Sequence, residues 1–204
     1  MDSDSYRCFT IGHSTHTMSC FIDLLEQNGV DVVVDVRSTP FSRIAPHFNR
    51  GQIEFFLKDA GKKYIYLGDR LGARYEAPEM LFEDGCVDFE RVAAGTLFKE
   101  GIQRVVKGIE KGYTIALMCS EKEPFDCHRF VLVSRSLSRL GVDVTHILPE
   151  GTLSQEALEE RLFEKYKLPR HNLLMSEEEM IAEAYRLRNR NIAYNAFTKE
   201  GDEI

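Results

Sequence analysis

The chain has 204 residues, 43% of them hydrophobic and 29% charged, with a formal net charge of −7. That length supports one substantial core, and the balance of residue types excludes a disordered or fibrous chain. No apolar run approaches the roughly 20 residues of a membrane-spanning helix, and the acidic balance excludes a broadly basic nucleic-acid-binding surface while leaving room for a local one.

The first residues, Met1-Asp2-Ser3-Asp4-Ser5, are acidic and polar, unlike the basic and then apolar opening of a secretory signal, so the expected location is the cytoplasm. Arg7 to Ile11 is a short β-prone run ended by Gly12-His13-Ser14. A helix is predicted from about Thr17, with Met18, Phe21 and Leu25 on one face and Gly29 as its stop. Val30 to Val36 is nearly continuous valine, the pattern of a strand buried on both faces. Gln52 to Ala60 carries Ile53, Phe56, Leu57 and Ala60 at helical spacing. Lys63 to Leu67 reads as a third strand, and Gly68 to Asp88 as a long functional loop.

Phe89 to Lys111 is predicted as one helix, with Phe98, Ile102, Val105 and Ile109 in a stripe. Tyr113 to Met118 is a fourth buried strand, His128 to Leu140 a helix, and Val142 to Leu148 a fifth strand. Two helices follow within residues 154–188. Ser154 is the expected cap of the first, with Leu153 and Leu158 as a hydrophobic staple, and Ser176 with Glu179 forms a capping box for the second. Strands alternating with helices imply a three-layer α/β fold with a mainly parallel five-stranded sheet, helices on both faces and a helical C-terminal extension. No repeat or linker divides residues 1–204, which read as a single domain.

Ligands bind outside the carboxyl ends of parallel strands, and unusual polar residues fall there. Strand one ends in Gly12-His13-Ser14, strand two in Asp35-Val36-Arg37-Ser38, strand three in Gly68-Asp69-Arg70 and strand four in Cys119-Ser120-Glu121. The segment from Cys119 to Cys127-His128-Arg129 is the richest. Cys127 at a helix start would feel the helix dipole, His128 and Arg129, all of which favour a thiolate. It is read as a nucleophile beside an anion pocket, or as a redox pair with Cys119; the alternative is that Cys119 is inert core.

Arg37 and Arg43 offer forks for phosphate, sulfate or carboxylate, and Arg129 adds a third. Ser14, Ser38, Ser42 and Glu121 are the further candidates for substrate contact. Asp35 is placed to orient His13 or to form an internal ion pair with an arginine. Phe48 could stack on a base but is expected to wedge into the core. His146 reads as a satisfied core histidine, and His16 and His171 as surface residues.

The five cysteines (Cys8, Cys20, Cys86, Cys119 and Cys127) are an odd number and read as reduced thiols. No G-x-G-x-x-G or Walker lysine is present, so there is no nucleotide fingerprint, and the cofactor stays open. Cys119, Cys127, His128 and His13 could supply a tetrahedral metal set. The C-x7-C-H spacing lacks the paired short intervals of structural zinc sites, so a metal is not favoured.

Taken together, Thr10-Ile11-Gly12-His13-Ser14, Asp35-Val36-Arg37-Ser38 with Pro40 and Ser42-Arg43, Phe48-Asn49, Leu117-Met118-Cys119-Ser120-Glu121 with Pro124, Cys127-His128-Arg129 and His146-Ile147 before Gly151 resemble the bacterial and archaeal family catalogued as domain of unknown function 488. The resemblance implies an α/β fold and a single site built from these motifs, without implying a reaction. A second resemblance, to rhodanese-like sulfurtransferases and cysteine phosphatases, rests on Asp35-Val36-Arg37 and Cys119…Arg129. It departs from them in the length of the loop and in the missing glycine turn.

Three functions follow from these residues. The first is a thiol-dependent transferase or hydrolase in which Cys127 or Cys119 attacks an anionic substrate, with arginine clamps and His13 or His128 as acid/base. The second is a nucleic-acid- or nucleotide-processing module using the arginine loops, with Phe41, Phe48 or Tyr75 for stacking. The third is a Cys/His metal-binding protein. The expected partner is an anionic small molecule or nucleic acid and not a membrane; oligomeric state is left open.

Overall fold

The computed structural model describes residues 6–169 and 175–198. His171 and the acidic residues 1–5 lie outside the described residues. Along the chain run β1 (Arg7–Gly12), α1 (Met18–Gln27), β2 (Val32–Asp35), α2 (Arg50–Asp59), β3 (Lys63–Tyr66), α3 (Gly68–Leu71), α4 (Phe89–Ala94), α5 (Thr96–Glu110) and β4 (Ile115–Cys119). A π-helical turn at Arg129–Ser134 then leads into α6 (Arg135–Ser138), followed by β5 (Asp143–Leu148), β6 (Gly151–Ser154), α7 (Gln155–Tyr166) and α8 (Glu177–Ile192).

The sheet has six strands in the order β3-β2-β4-β1-β5-β6. All pairings are parallel except that of β5 with β6. The expected count of five strands is therefore one short. β6 is a four-residue strand that returns from β5 through Pro149-Glu150, with Leu148 opposite Gly151. It begins with glycine and is largely exposed, so it carries no alternating apolar pattern to betray it.

Alternation along the strands divides the core. Phe9, Ile11, Val33, Ala116 and Met118 pack with Phe21 and Leu25 of α1 and Ile53 and Leu57 of α2. Cys8, Val32, Val34, Ile115, Leu117 and Cys119 face the other way, against Phe98, Ile102 and Val105 of α5 and Phe130 to Val133 of the π-helical turn. The crossovers β1-α1-β2 and β2-α2-β3 thus use one face, and the returns to β4 and β5 use the other. Since β2 and β4 are neighbours, their outgoing chains leave to opposite faces and open a crevice between their carboxyl ends.

Local signals explain most element ends. Thr17 Oγ1 accepts from Cys20 N at 3.2 Å to cap α1, and Gly29 just beyond it takes a φ of 63°. Ser154 caps α7, and Ser176 with Glu179 closes a full capping box on α8. Elsewhere the structure corrects the sequence pattern. The single helix expected over Phe89 to Lys111 is broken at Gly95, whose extended backbone ends α4 and caps α5. The long loop from Gly68 to Asp88 holds α3 and a 3-10 turn at Pro78–Met80. The helix expected from His128 opens as a π-helical turn. Among the described residues no helix is long and apolar enough to cross a membrane.

Candidate functional site

Parallel pairing sets Gly12 beside Cys119, and Asp35 beside Met118, at the carboxyl edge of the sheet. The chain beyond β1 stays zipped to the chain beyond β4: His13 N–H donates to Cys119 O at 2.9 Å and Ser14 N–H to Ser120 O at 2.8 Å. Glycine is required at the junction, because a Cβ on Gly12 would stand 1.8 Å from the Glu121 carbonyl oxygen.

Cys119 therefore ends β4 with its side chain on the α5 side of the sheet. His128 meets it from the start of the next helical segment, with Nδ1 3.6 Å from Cys119 Sγ and 3.9 Å from Cys127 Sγ. The other ring nitrogen, Nε2, is 3.1 Å from the Val36 carbonyl, so it carries the proton and leaves the Nδ1 lone pair facing both sulfurs. Cys127 Sγ is also 2.9 Å from Glu121 Oε2 and accepts from Arg129 N–H at 3.4 Å. Arg129 is fully buried and donates to the Glu121 and Lys122 carbonyls at 2.6 and 2.9 Å, which pins the loop over the thiols.

The electrostatics of the pair are asymmetric. Burial pushes the Cys127 thiol up, but the Cys119 hydrogen bond, the Arg129 charge and His128 outweigh it, and Cys127 is held well below the ordinary thiol range. Cys119 is driven well above that range by burial and then by Cys127. One negative charge is thus favoured on the pair and a second is not. Glu121 is exposed as a residue, yet its carboxyl end turns in onto Cys127, and crowding there followed by the Cys127 charge raises its pKa. Burial lowers the His128 pKa, but Cys127 and Glu121 more than reverse this.

A second cluster stands beside the first. Arg37 forks onto Asp35, with Nε 2.9 Å from Oδ1 and Nη2 2.6 Å from Oδ2. Tyr64 O–H donates to the same carboxylate at 2.8 Å, and Arg37 also reaches the Phe48 carbonyl at 2.9 Å. Arg37 Nη1 donates to His13 Nε2 at 2.9 Å, while His13 Nδ1 donates to Ser14 O at 2.8 Å. A guanidinium can only donate, so His13 is neutral with its proton on Nδ1. Burial and then Arg37 lower its pKa to about 4. Its ring stacks on Phe48 at 4.4 Å, and Phe48 is wholly buried.

A cavity of about 680 Å³ opens at this edge. Of the residues singled out in the sequence, Arg37, Ser38, Ser42, Arg43, Cys119, Glu121 and His128 line it. Cys127, Arg129, His13 and Asp35 are buried and do not line it, and neither does Ser14, whose backbone takes a φ of 45°. The serines on the wall serve the backbone. Ser38 Oγ accepts from Ala73 and Arg74 N–H at 3.0 and 3.1 Å, and Ser42 Oγ from Ala45 N–H at 3.0 Å. Arg37 is committed inward, whereas Arg43 is exposed at the cavity. His16, expected at the surface, is half-buried.

Two parts of the wall were not among the candidate site residues, although Arg74 is one of the loop arginines that permit a cationic pocket. Arg74, in the loop after α3, lines the cavity and lies over the Tyr194 ring at 5.4 Å. Tyr194, Asn195 and Thr198, beyond α8, form the facing wall. Nothing periodic marks that stretch; only the position of α8 brings it there. Its anchor is Arg188, which donates to Phe125 O at 2.9 Å and pairs with Asp126.

Among the described residues, Cys119, Cys127 and His128 are the group able to hold a metal, with donor atoms all within 4.8 Å of one another. His13 does not join them, since both its ring nitrogens are engaged elsewhere. Comparison with known proteins gives one finding: a family model described as "Domain of unknown function DUF488" matches residues 17–136, more than half of the chain. The match runs from the cap of α1 into α6 and includes the Asp35-Val36-Arg37 and Cys119 to Arg129 segments. No curated protein and no solved structure matches the chain.

Proposed function

The chain belongs to the DUF488 family, a grouping that names no reaction, and from its site we propose that it is a thiol-dependent transferase or hydrolase acting on an anionic substrate. The observation that carries this reading is the Cys119-His128-Val36 line. A sulfur on the cavity wall lies 3.6 Å from an imidazole nitrogen whose opposite nitrogen is tethered to a main-chain carbonyl. A nucleophile, its base and a group that orients the base are the three parts such chemistry needs.

Cys119 is the attacking atom because it lines the cavity and Cys127 does not; burial holds its thiol high, so it attacks as His128 takes its proton and not as a preformed thiolate. The thiol proton passes to His128 Nδ1 as sulfur bonds to the electrophilic centre. The bond to the leaving group breaks, and the leaving group takes that proton from His128. Water or a second acceptor then releases the covalently held group. Arg43 and Arg74 on the wall favour a phosphate, sulfate or carboxylate next to the reacting centre. His13 and Asp35 act indirectly, holding Arg37 and the loop after β2 in place.

The test is alkylation of the chelator-treated protein with iodoacetamide at neutral pH, mapped by peptide mass. Cys119 is expected to react while Cys8, wholly buried in the core, stays unmodified. A Cys119 as inert as Cys8 would overturn the reading.

A second reading is favoured by one observation: Phe41 lines the same cavity, 59% exposed, next to Arg43. An exposed aromatic beside arginines is a stacking platform, so the anion could belong to a nucleotide or a single strand. Salt-sensitive binding of a short oligonucleotide, weakened in Phe41→Ala, is expected then. Binding that ignores both salt and Phe41 rejects this version.

A further inference from the structure

The thiol reading requires one sulfur near His128, yet its Nδ1 lone pair faces two. Around a zinc-like ion, bonds of about 2.3 Å to sulfur and about 2.0 Å to imidazole nitrogen at tetrahedral angles put each sulfur about 3.5 Å from the nitrogen, and the two sulfurs about 3.8 Å apart. The observed separations are 3.6 Å for Cys119 and 3.9 Å for Cys127, and all three donor atoms lie within 4.8 Å of one another. Two sulfurs and an imidazole lone pair thus converge on one point at the spacing a tetrahedral ion requires.

We propose that Cys119, Cys127 and His128 bind a thiophilic divalent cation of the zinc class, with the fourth position taken by water or by a repositioned Glu121. This goes beyond the thiol reading: the ion takes the Cys119 sulfur and the His128 lone pair that the thiol reaction uses, so the metal-bound and the reactive forms of the site exclude one another. On binding, whatever protons the two sulfurs still hold pass to solvent, two metal–sulfur bonds form, and His128 donates the lone pair that otherwise accepts from Cys119.

The surroundings fit. His128 Nε2–H is held by the Val36 carbonyl, which fixes the tautomer that presents Nδ1, the usual outer support of a ligating histidine. Arg129 N–H points at Cys127 Sγ at 3.4 Å, a bond that steadies a thiolate ligand. Glu121 Oε2 lies 2.9 Å from Cys127 Sγ but outside the group whose donor atoms are all within 4.8 Å of one another, so its carboxylate must swing inward to become a ligand.

The charges also close. Two thiolates balance a divalent cation, and the fully buried Arg129 guanidinium offsets the charge of a nearby Glu121 carboxylate. Among the described residues no carboxylate lies at ion-pair distance from Arg129. Cys119, Glu121 and His128 all line the cavity, so the ion would be reachable from it.

The experiment uses the full chain purified without a His tag, stripped with a chelator and titrated with Co²⁺, then Zn²⁺. One Co²⁺ per chain is expected, with sulfur-to-cobalt charge-transfer absorption and tetrahedral visible bands that Zn²⁺ abolishes. Cys119→Ser and Cys127→Ser, each confirmed folded by circular dichroism, should weaken binding at least tenfold, and Glu121→Gln less. Prior alkylation of the wild-type thiols should remove the spectrum without any variant. Absence of a saturable cobalt–sulfur band in the stripped wild type overturns the proposal, as does a band unchanged in both folded serine variants. Cobalt binding alongside an unreactive Cys119 would sustain this inference and reject the thiol reading alone.

Discussion

Arg37 turns back on Asp35, two residues before it, and closes a forked ion pair at 2.9 and 2.6 Å at the carboxyl end of β2. The pair is buried, with Asp35 at 0% and Arg37 at 3% exposure. It also holds His13 and the Phe48 carbonyl, so it joins the loop after β1 to the loop after β2. Removing one partner strands the other charge in the interior. Asp35→Ala is therefore expected to destabilise the protein by roughly 3–5 kcal/mol in urea unfolding. Arg37→Lys should also be poorly tolerated, since a single ammonium cannot span both carboxylate oxygens and His13. A loss below about 1 kcal/mol would show that the pair does not hold these loops.

Gly12→Ala places a methyl group 1.8 Å from the Glu121 carbonyl oxygen, a backbone atom that cannot rotate away. The loop carrying Glu121 must shift, at a cost of about 2 kcal/mol, which corresponds to roughly 4–8 °C in melting temperature for a chain of this size. Because Arg129 grips that loop, the same substitution should alter the labelling of Cys119. An unchanged melting temperature and labelling pattern would contradict the close packing of β1 on this loop.

His146 lies in a directed chain across the core. Gln155 Nε2 donates to Tyr185 O–H at 2.6 Å, so Gln155 Oε1 accepts from His146 Nε2 at 3.0 Å, and His146 Nδ1 accepts from Thr10 Oγ1 at 2.8 Å. Burial and then the Arg129 charge lower its pKa to about 3. An unfolded chain protonates this ring near its ordinary value of 6.5. Between the two values only the unfolded chain binds the proton, so stability falls as pH falls from about 6.5 toward 3. At pH 5 the loss from this residue is about 2 kcal/mol. Unfolding midpoints of wild type and His146→Gln, compared from pH 7 to pH 5, check this; parallel profiles would reject it.

Arg188 ties α8 to the segment just before Cys127, through Phe125 O, Asp126 and the Phe125 ring at 4.5 Å. Arg188→Ala should cost about 1–3 kcal/mol, the range for a lost buried charged hydrogen bond. Amide exchange should speed up selectively across Glu177–Ile192. Uniform change over all helices would mean that Arg188 supports the core generally and not this wall of the cavity.

Much of this arrangement is legible in the sequence because it follows from strand ends. The valine run of β2 and the apolar run of β4 fix two central strands, and parallel order then delivers Asp35, Arg37 and Cys119 to one edge. The glycine after β1 and the Cys-His-Arg run after β4 mark the same edge. What the residues alone do not reveal is partnership. Arg37 looks like a substrate clamp until Asp35 and His13 are seen to occupy it. Cys127 looks like the nucleophile, because a helix start favours a thiolate, yet Cys119 reaches the cavity. The wall from Ile192 to Thr198 depends on how α8 docks, and β6 on a hairpin with no apolar alternation. Those are tertiary facts without a local pattern.

On the proposed function, Cys119 is a reactive sulfur inside a cavity whose arginines favour anions. The most direct measurement compares alkylation of Cys119 in the chelator-treated protein by iodoacetate, an anion, and by neutral iodoacetamide. The iodoacetate-to-iodoacetamide rate ratio at Cys119 is expected to exceed that of a model thiol, and to fall with added salt or in the Arg43→Ala, Arg74→Ala double variant. A ratio at or below the model thiol, unaffected by salt or by the arginines, would contradict it.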